Sequence, residues 1–245
     1  MTKFFRKIRQ GLLTKNKFNK YLLYAVGEII LVVIGILIAL QINNWNEENK
    51  SRQRGNEILK EIKENLSYNS LQFQNEIETE YEVINSIDVI LDNINNHKIY
   101  NDSLNKHYRF ATYWSSARWK SSGYESMLSK GSELSILRNI RESIIDLYQI
   151  TYALISEDIR LAENNFSATI LPLWLEFFER KSVGLNNAKN EIAKPFDYQK
   201  VITSEKLKST LTFLRSNRVT GINVRLKAIE KNEELIAVID SVLVD

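Results

Sequence analysis

The first strong feature of the hydropathy pattern is an almost unbroken apolar run over residues 21–42, YLLYAVGEIILVVIGILIALQI. As an α-helix at ~1.5 Å per residue, this run would be about 33 Å long, which matches the ~30 Å hydrocarbon core of a bilayer. A cleaved signal peptide and a buried helix of a soluble protein are the alternatives. The run exceeds the ~7–15 apolar residues of a signal peptide, and no small-residue cleavage site follows it. We therefore predict an uncleaved transmembrane helix over residues 21–43.

The charges on either side of this run argue against a soluble core helix and predict an orientation. Residues 1–20 carry seven Lys or Arg side chains and no acid, whereas Glu47 and Glu48 follow the run. Because positive charge is retained on the cytoplasmic side of a membrane, we expect a single-pass protein of the bacterial inner membrane. Its N-terminus would lie in the cytoplasm and residues 44–245 in the periplasm.

The basic tail, residues 1–20, has a pattern of its own. Apolar residues recur in it at helical spacing with cations between them, which predicts an amphipathic helix on an anionic lipid surface. A disordered, positively charged tail is the alternative. The cations that we assign to the lipid surface are Lys3, Arg6, Lys7 and Arg9.

One acid, Glu28, interrupts the apolar run. A charged side chain within a transmembrane helix costs at least ~2.5 kcal/mol on insertion scales, so it is expected to have a partner. At 100° per residue, Tyr21, Gly35 and Ala39 lie within about 20° of Glu28. Gly35 and Ala39 form a small-xxx-small pair, which allows a second helix to approach closely. We predict that this face contacts another copy of the chain or another membrane protein.

Beyond the apolar run, apolar residues recur at steps of three, four or seven, which predicts amphipathic helices. The first covers about residues 50–96 and could continue the transmembrane helix as a stalk. The sequence NNHKIYNDS should end it, because Asn, Asp and Ser favour turns. Shorter helices are predicted over about 103–114 and 123–130, the latter with Gly131 as its C-cap.

Two more long helices complete the predicted fold. One ends near Pro172, and the last covers Ser204–Leu243. The apolar face of the former is expected to hold Ile140, Ile144, Leu147, Thr151, Leu154, Asp158 and Leu161. No segment alternates strictly between apolar and polar residues, and Gly and Pro are scarce, so no substantial sheet is expected. The predicted class is all-α: one transmembrane helix followed by a periplasmic up-and-down bundle of about four helices.

Composition narrows the chemistry. The chain has no Cys, which excludes disulfides and Cys-ligated metals, and only two His, His97 and His107. No nucleophile elbow, phosphate-binding glycine loop or His-Glu-x-x-His sequence is present. The net charge of +3 arises from the tail, since the remaining residues are net acidic, so no nucleic-acid surface is indicated. We expect a protein that is not an enzyme and that uses no cofactor or metal.

An aromatic cluster between the shorter helices admits two interpretations. Its aromatic residues could fill the core where short helices meet long ones. Alternatively, they could form a pocket in which neighbouring cations clamp an anionic ligand. The residues concerned are Trp114, Arg118, Trp119, Lys120 and Tyr124.

Three segments carry a resemblance to a known family: KFFRKIRQGLL, NKFNKYLLYAVGEIILVVIGILIALQINNWNEE and SSGYESMLSKGSELSILRNIRESIIDLYQ. They are similar to those of an uncharacterised family of short single-pass membrane proteins of flavobacteria and their relatives. The resemblance implies an inner-membrane protein with a helical exterior domain. It implies no activity.

These observations predict a non-enzymatic membrane-anchored scaffold, accessory or sensor module that assembles through its transmembrane helix. One alternative is a subunit of a proton- or ion-coupled membrane complex that uses Glu28. The other is a periplasmic domain that binds a small ligand. Membrane lipids and another helix, rather than nucleic acid, are the expected partners.

Overall fold

The structure is a computed structural model that describes residues 18–113, 118–131, 136–181 and 191–243. These residues belong to two compact units. The first contains the described residues up to Gly55, and the second contains those from Asn56 onward.

A single helix, α1 (Phe18–Asn95), begins in the first unit and ends in the second. The helices predicted over 21–43 and about 50–96 are therefore one helix. This agrees with the prediction that the second could continue the first. The polar sequence between them contains no proline, so every backbone N–H there can take part in helical hydrogen bonding. The helix ends where the turn-forming sequence was expected to end it, and His97 adopts a positive φ of 44° in the turn that follows.

The remaining elements belong to the second unit. Most are helical, which confirms a mainly α-helical chain, and two short strands were not predicted. In chain order they are α2 (Leu104–Phe110), α3 (Ser122–Lys130), α4 (Arg138–Asp146), the π-helical segment π1 (Leu147–Thr151), α5 (Tyr152–Asn165), the π-helical segment π2 (Phe166–Ile170), α6 (Leu171–Phe177), β1 (Phe178–Lys181), β2 (Ile192–Pro195), α7 (Tyr198–Thr203) and α8 (Glu205–Leu243).

The helical region that begins at α4 does not end near Pro172, so that prediction is wrong. Pro172 lies near the start of α6, directly after π2, and it interrupts the helical hydrogen bonding without ending the helix. The π-helical hydrogen bonds of π2 come immediately before α6. Helical backbone therefore continues through the proline to Phe177.

Helix α1 buries a regular set of positions in the second unit. Their steps alternate between four and three residues, which is the spacing of a heptad repeat. The positions are Ile62, Leu66, Asn69, Phe73, Glu76, Glu80, Val83, Ile87, Ile90 and Ile94. Three of the ten are polar or charged.

Helix α8 buries residues at the same heptad spacing. Its heptad positions are Leu207, Leu211, Leu214, Arg218, Gly221, Arg225, Ala228, Asn232, Leu235 and Ile239, all buried or nearly so. The two helices are antiparallel: Lys63 pairs with Asp240 at 2.5 Å at one end, and Asp88 pairs with Arg215 at 2.6 Å towards the other. Each helix thus presents a heptad face in which polar residues interrupt the apolar ones.

The strands β1 and β2 pair antiparallel, with Phe178 opposite Pro195 and Lys181 opposite Ile192. Phe178 is buried, and its ring lies 4.5 Å from that of Tyr108 and 4.7 Å from that of Trp174. These rings belong to the apolar core that α2, α6 and α7 form with the C-terminal part of α1.

Candidate functional site

The apolar part of α1 lies in the first unit and exposes its side chains on all sides. From Leu22 to Ile42 the large apolar side chains are 47–79% exposed. Of the residues that the structure describes, α1 is the one helix long and apolar enough to cross a membrane. The predicted lipid-surface cations Lys3, Arg6, Lys7 and Arg9 lie outside the described residues.

Within this segment, Glu28 is half-buried and Ala39 is exposed. Tyr21 lies in the helix, but its side chain is not described. A Cβ atom added to Gly35 would meet no atom within 4 Å, and the same is true of Gly27. Both glycines therefore leave room for a side chain or for a second helix.

The predicted aromatic cluster packs against α1 and the π1–α5 region. The Trp119 ring lies 6.4 Å from that of Phe73 and 5.7 Å from that of Tyr152. Tyr124 stacks on Tyr148 at 4.4 Å. These contacts belong to core packing, and Trp114 lies outside the described residues.

The cations of this cluster precede α3. Arg118 is exposed, and the Lys120 ammonium lies 4.3 Å above the ring of Tyr68. The Lys120 backbone is held by Asn69, which accepts from its N–H at 2.7 Å and donates to its carbonyl at 3.0 Å. An anion-binding pocket at these residues stays a prediction.

Three helices meet at a buried polar network that the sequence analysis did not identify. The hydroxyl of Tyr152 on α5 donates to Asn232 of α8 at 2.8 Å and accepts from Asn69 of α1 at 3.2 Å. Asn232 donates in turn to the Ser70 hydroxyl at 2.9 Å. Burial raises the pKa of Tyr152 to about 12, so its hydroxyl keeps the proton that it donates.

A second buried polar group is a cluster of five charged side chains, of which four lie at heptad positions of α1 and α8 and one, Asp158, lies on α5. Arg225 donates to Glu76 at 2.7 Å and to Asp158 of α5 at 2.8 Å. Arg218 donates to Glu80 at 2.9 Å and to the carbonyl of Tyr113 at 2.8 Å. Three carboxylates thus face two guanidinium groups.

A glycine allows the close approach of these groups. A Cβ atom at Gly221 of α8 would lie 2.9 Å from an oxygen of Asp158 and 3.1 Å from Nη1 of Arg225. The Gly221 carbonyl also accepts from Arg225 at 3.0 Å. A larger residue here would displace the ion pair between α5 and α8.

Two carboxylate oxygens in the cluster are buried without a hydrogen-bond partner, Oε1 of Glu76 and Oε2 of Glu80. Burial raises the pKa of Glu76 despite its hydrogen bond to Arg225, and it raises the pKa of Glu80 despite the nearby charges of Arg218 and Arg225. Desolvation therefore outweighs the ion pairs at both acids, and the neighbouring negative charge of Asp158 at Glu76 and of Glu76 at Glu80 adds to the rise in pKa.

Beside this cluster is a cavity of about 280 Å³. Its charged lining residues are Glu80, Asp158 and Arg218. Further polar lining comes from Thr112, Asn165, Asn217 and Thr220, and apolar lining from Leu161, Ala162, Phe166, Ile170, Phe213 and Leu214. Elements α1, α5, π2 and α8 all contribute to it. No group of three or more metal-ligating side chains is found among the described residues.

A signal for these residues was present in the sequence. In α1 and α8, the charged and amide side chains at the same spacing do not appear in a pattern drawn from apolar residues alone. In α8, Arg218, Arg225 and Asn232 are separated by seven residues each and continue the spacing of Leu211. Extending the heptad pattern through polar positions would have placed them on the buried face.

Comparison with known proteins places the chain in a family. Residues 28–169, more than half of the chain, match the family described as a family of unknown function (DUF6090). The matched range includes Glu28 and the acids Glu76, Glu80 and Asp158. No curated protein and no solved structure matches the chain. The resemblance to an uncharacterised family is thus confirmed, and the chain belongs to the family of unknown function DUF6090.

Proposed function

We propose that this protein is a single-pass, non-enzymatic membrane protein that assembles through its transmembrane helix. Residues 21–43 would cross the bacterial inner membrane with the N-terminus in the cytoplasm. Residues 44–245 would form a periplasmic up-and-down helical bundle that acts as a scaffold, accessory or sensor module. The antiparallel contact of α1 and α8 supports the bundle.

The exposed apolar surface of α1 in the first unit carries the proposal. Large apolar side chains cover every side of the helix between Leu22 and Ile42. Removing such a side chain from water is favourable by about 1.5–3 kcal/mol. A lipid environment would cover all of these side chains at once, whereas a protein partner would cover only one side.

Glu28 supports assembly through one face of this helix. Its carboxyl group is costly in lipid, and Gly35 and Ala39 on the same face permit close helix contact. The partner would be a second copy of the chain or another membrane protein. In an ion-coupled complex, the same acid would instead carry a proton or an ion.

The test uses the full-length protein, purified from its native membrane in mild detergent, with the mass of the complex and the copurifying proteins determined. A homo-oligomer or a defined complex with another membrane protein is expected. A monodisperse monomer without partners would contradict the proposal.

The chain offers a matched control for the helix face. We expect Gly35→Leu to disrupt the complex and Gly27→Leu, which lies about 100° from Glu28 and about 80° from Gly35 around the helix, to leave it intact. Neither added side chain meets an atom of the same chain near its Cβ. If Glu28→Gln preserves the complex but abolishes an ion-dependent phenotype, the ion-coupled alternative is favoured.

Absence of cysteine allows a second measurement. With a single cysteine introduced as Ala39→Cys, oxidation of native membranes should cross-link two copies if the complex is a homo-oligomer. The control Val33→Cys, about 140° from Glu28, should cross-link much less. Equal cross-linking at both positions would indicate random collision instead of a defined face.

A further inference from the structure

The cavity beside the buried charges has a composition that selects one class of ligand. Its charged lining residues are two acids, Glu80 and Asp158, and one base, Arg218. The cavity wall is therefore net negative, and so is the larger cluster that includes Glu76 and Arg225. An anion would add to this excess of negative charge, whereas a cation would offset it.

The cations of the cluster are already engaged. Arg218 donates to Glu80 and to the Tyr113 carbonyl, and Arg225 donates to two acids and to the Gly221 carbonyl. An incoming anion would have to compete with these intramolecular acceptors. The cluster thus has three acids and only two bases.

One oxygen of the acid Glu80, which lines the cavity, has no donor. Glu80 is only 5% exposed and lines the cavity, and its Oε2 atom makes no hydrogen bond. A buried carboxylate oxygen without a partner is unfavourable, and a charged N–H donor would relieve this cost. Glu80 therefore places negative charge at the cavity wall, and a cation in the cavity would offset it.

Apart from four neutral polar residues, the rest of the cavity lining is apolar. Phe166 and Phe213 supply aromatic rings, and Leu161, Ile170 and Leu214 supply aliphatic side chains. Aromatic faces also attract cations at short range. The volume of about 280 Å³ lies at the lower end of the ~300–1,000 Å³ usual for ligand pockets. A small molecule with one apolar group would fill it.

A π-helical segment forms one side of the cavity. Phe166 begins π2 and Ile170 ends it, and both line the cavity. π-Helical turns are rare and occur frequently at functional sites. The wall of this cavity is thus built from a backbone feature that ordinary helix packing does not require.

We propose that this cavity binds a small organic ammonium ion, with its N–H group directed at Glu80 and its apolar group among Leu161, Phe166 and Phe213. This site is separate from the predicted aromatic cluster at Trp119 and Tyr124, and it does not depend on assembly through α1.

The test uses the full-length protein in lipid nanodiscs and calorimetric titration with 2-phenylethylammonium chloride, with the signal of empty nanodiscs subtracted. We expect saturable binding at one site per chain. Its neutral analogue 2-phenylethanol has the same ring and chain length. It should bind at least about tenfold more weakly, as expected for loss of a charged hydrogen bond.

Two variants test the two parts of the site. Glu80→Gln removes the charge and should weaken binding about tenfold, while Glu163→Gln, an exposed acid on the same helix as Asp158, should not change it. Ala162→Phe should prevent binding, because the larger side chain would fill part of the cavity. The control Ala168→Phe places the same residue at an exposed position.

Thermal unfolding of each variant shows whether it is folded, and the comparison of ammonium with alcohol requires no variant at all. No saturable binding of the ammonium ion across the millimolar range would overturn the proposal. Equal binding of the ammonium and the alcohol, or unchanged binding in a folded Glu80→Gln variant, would also overturn it.

Discussion

Gly123 is a position at which a side chain cannot be added without moving the backbone. A Cβ atom there would lie 2.7 Å from Cγ1 and 2.8 Å from the backbone N of Ile62 on α1. The Gly123 N–H also donates to Asn65 of α1 at 3.2 Å, which holds the start of α3 in place. The absence of a side chain is thus what allows α3 to contact α1.

Gly123→Ala should therefore destabilise the protein, although alanine is the better helix former. Helix propensity alone predicts a gain of up to about 1 kcal/mol, whereas overpacking against backbone atoms typically costs about 1–3 kcal/mol. Unfolding monitored by circular dichroism measures whether the substitution raises or lowers the free energy of unfolding. Ser126→Ala in the same helix serves as the control, and a Gly123→Ala variant that is more stable than the unmutated protein would contradict the packing.

Glu80 should make stability depend on pH. Burial raises its pKa in the folded state above the ordinary value of 4.5. Between 4.5 and the raised folded-state pKa, the folded protein therefore binds more protons than the unfolded chain. This contribution is fully present below 4.5, and the free energy of unfolding falls as the pH rises through the folded-state pKa.

Glu80→Gln removes this contribution. The free energy of unfolding of the unmutated protein minus that of the variant should decrease as the pH rises from 4.5. Denaturant titrations at a series of pH values measure this difference. Glu163→Gln should leave the slope unchanged. A difference that stays constant with pH would show that Glu80 does not titrate differently in the two states.

At the scale of elements, the register of α1 against α8 is defined by polar layers within the heptad faces. Glu76 faces Arg225 and Glu80 faces Arg218, while Asn69 and Asn232 meet through the Tyr152 hydroxyl. A shift of one helix along the other would separate these partners inside the core. Polar residues at heptad positions specify register in this way at some cost in stability.

Arg225→Leu should consequently cost about 3–5 kcal/mol in the free energy of unfolding, since it leaves the buried Glu76 and the partly buried Asp158 without their guanidinium partner. The matched control is Arg215→Leu on the same helix. Arg215 also pairs with an acid of α1, Asp88, but both side chains are nearly half exposed. An exposed pair contributes about 0–1 kcal/mol.

Denaturant unfolding of both variants provides the comparison. Raising the salt concentration should reduce the small effect of Arg215→Leu and barely change that of Arg225→Leu, because salt screens exposed charges more than buried ones. Similar losses in the two variants would contradict the assigned burial.

The elements also show how far hydropathy patterns can predict this fold. The end of α1 follows from the turn residues after it, and the end of α3 follows from its C-cap Gly131, which has a φ of 50°. The extent of α8 follows from its uninterrupted periodicity. The predicted face of the helix before Pro172 is correct for Ile140, Ile144 and Leu147, which are buried. Beyond them it fails at Leu154 and Leu161, although Asp158 contacts Arg225 of α8.

The reason for the failure is π1. Its wider turns add one residue to the helix, so the buried face moves by one position to Tyr148, Tyr152 and Ile155. Leu154 and Leu161 are consequently about half exposed, and Leu161 lines the cavity. A π-helical turn depends on tertiary packing and has no hydropathy signature of its own. The cavity could therefore not have been located from periodicity.

At the scale of the whole molecule, the described core belongs entirely to the second unit. Every buried apolar side chain that the structure describes lies at or after Ile58. The exposed apolar segment of α1 belongs to the first unit. If the first unit crosses the membrane as proposed, the two units have different solvent requirements: lipid or detergent for the first and water for the second.

A fragment of residues 56–245 should accordingly fold in buffer without detergent. It retains the heptad faces of α1 and α8, the buried ion pairs and the core around Tyr108, Trp174 and Phe178. Folding requires that these groups be covered, and none of them needs residues before Asn56. We expect a helical circular dichroism spectrum, a cooperative thermal transition and dispersed methyl signals in the nuclear magnetic resonance spectrum.

The control fragment begins at residue 78 and lacks Ile62, Leu66, Phe73 and Glu76. It leaves Arg225 without one acid and Tyr152 without Asn69, and it uncovers the apolar face of α8 beyond Arg225, so it should be unfolded or aggregated. If the fragment from 56 aggregates in buffer but becomes soluble in detergent, the second unit depends on the membrane as well, and the division at Gly55 does not separate two solvent environments. If both fragments fold, the N-terminal heptads of α1 contribute little to the core, which would contradict the burial of Ile62, Leu66 and Phe73.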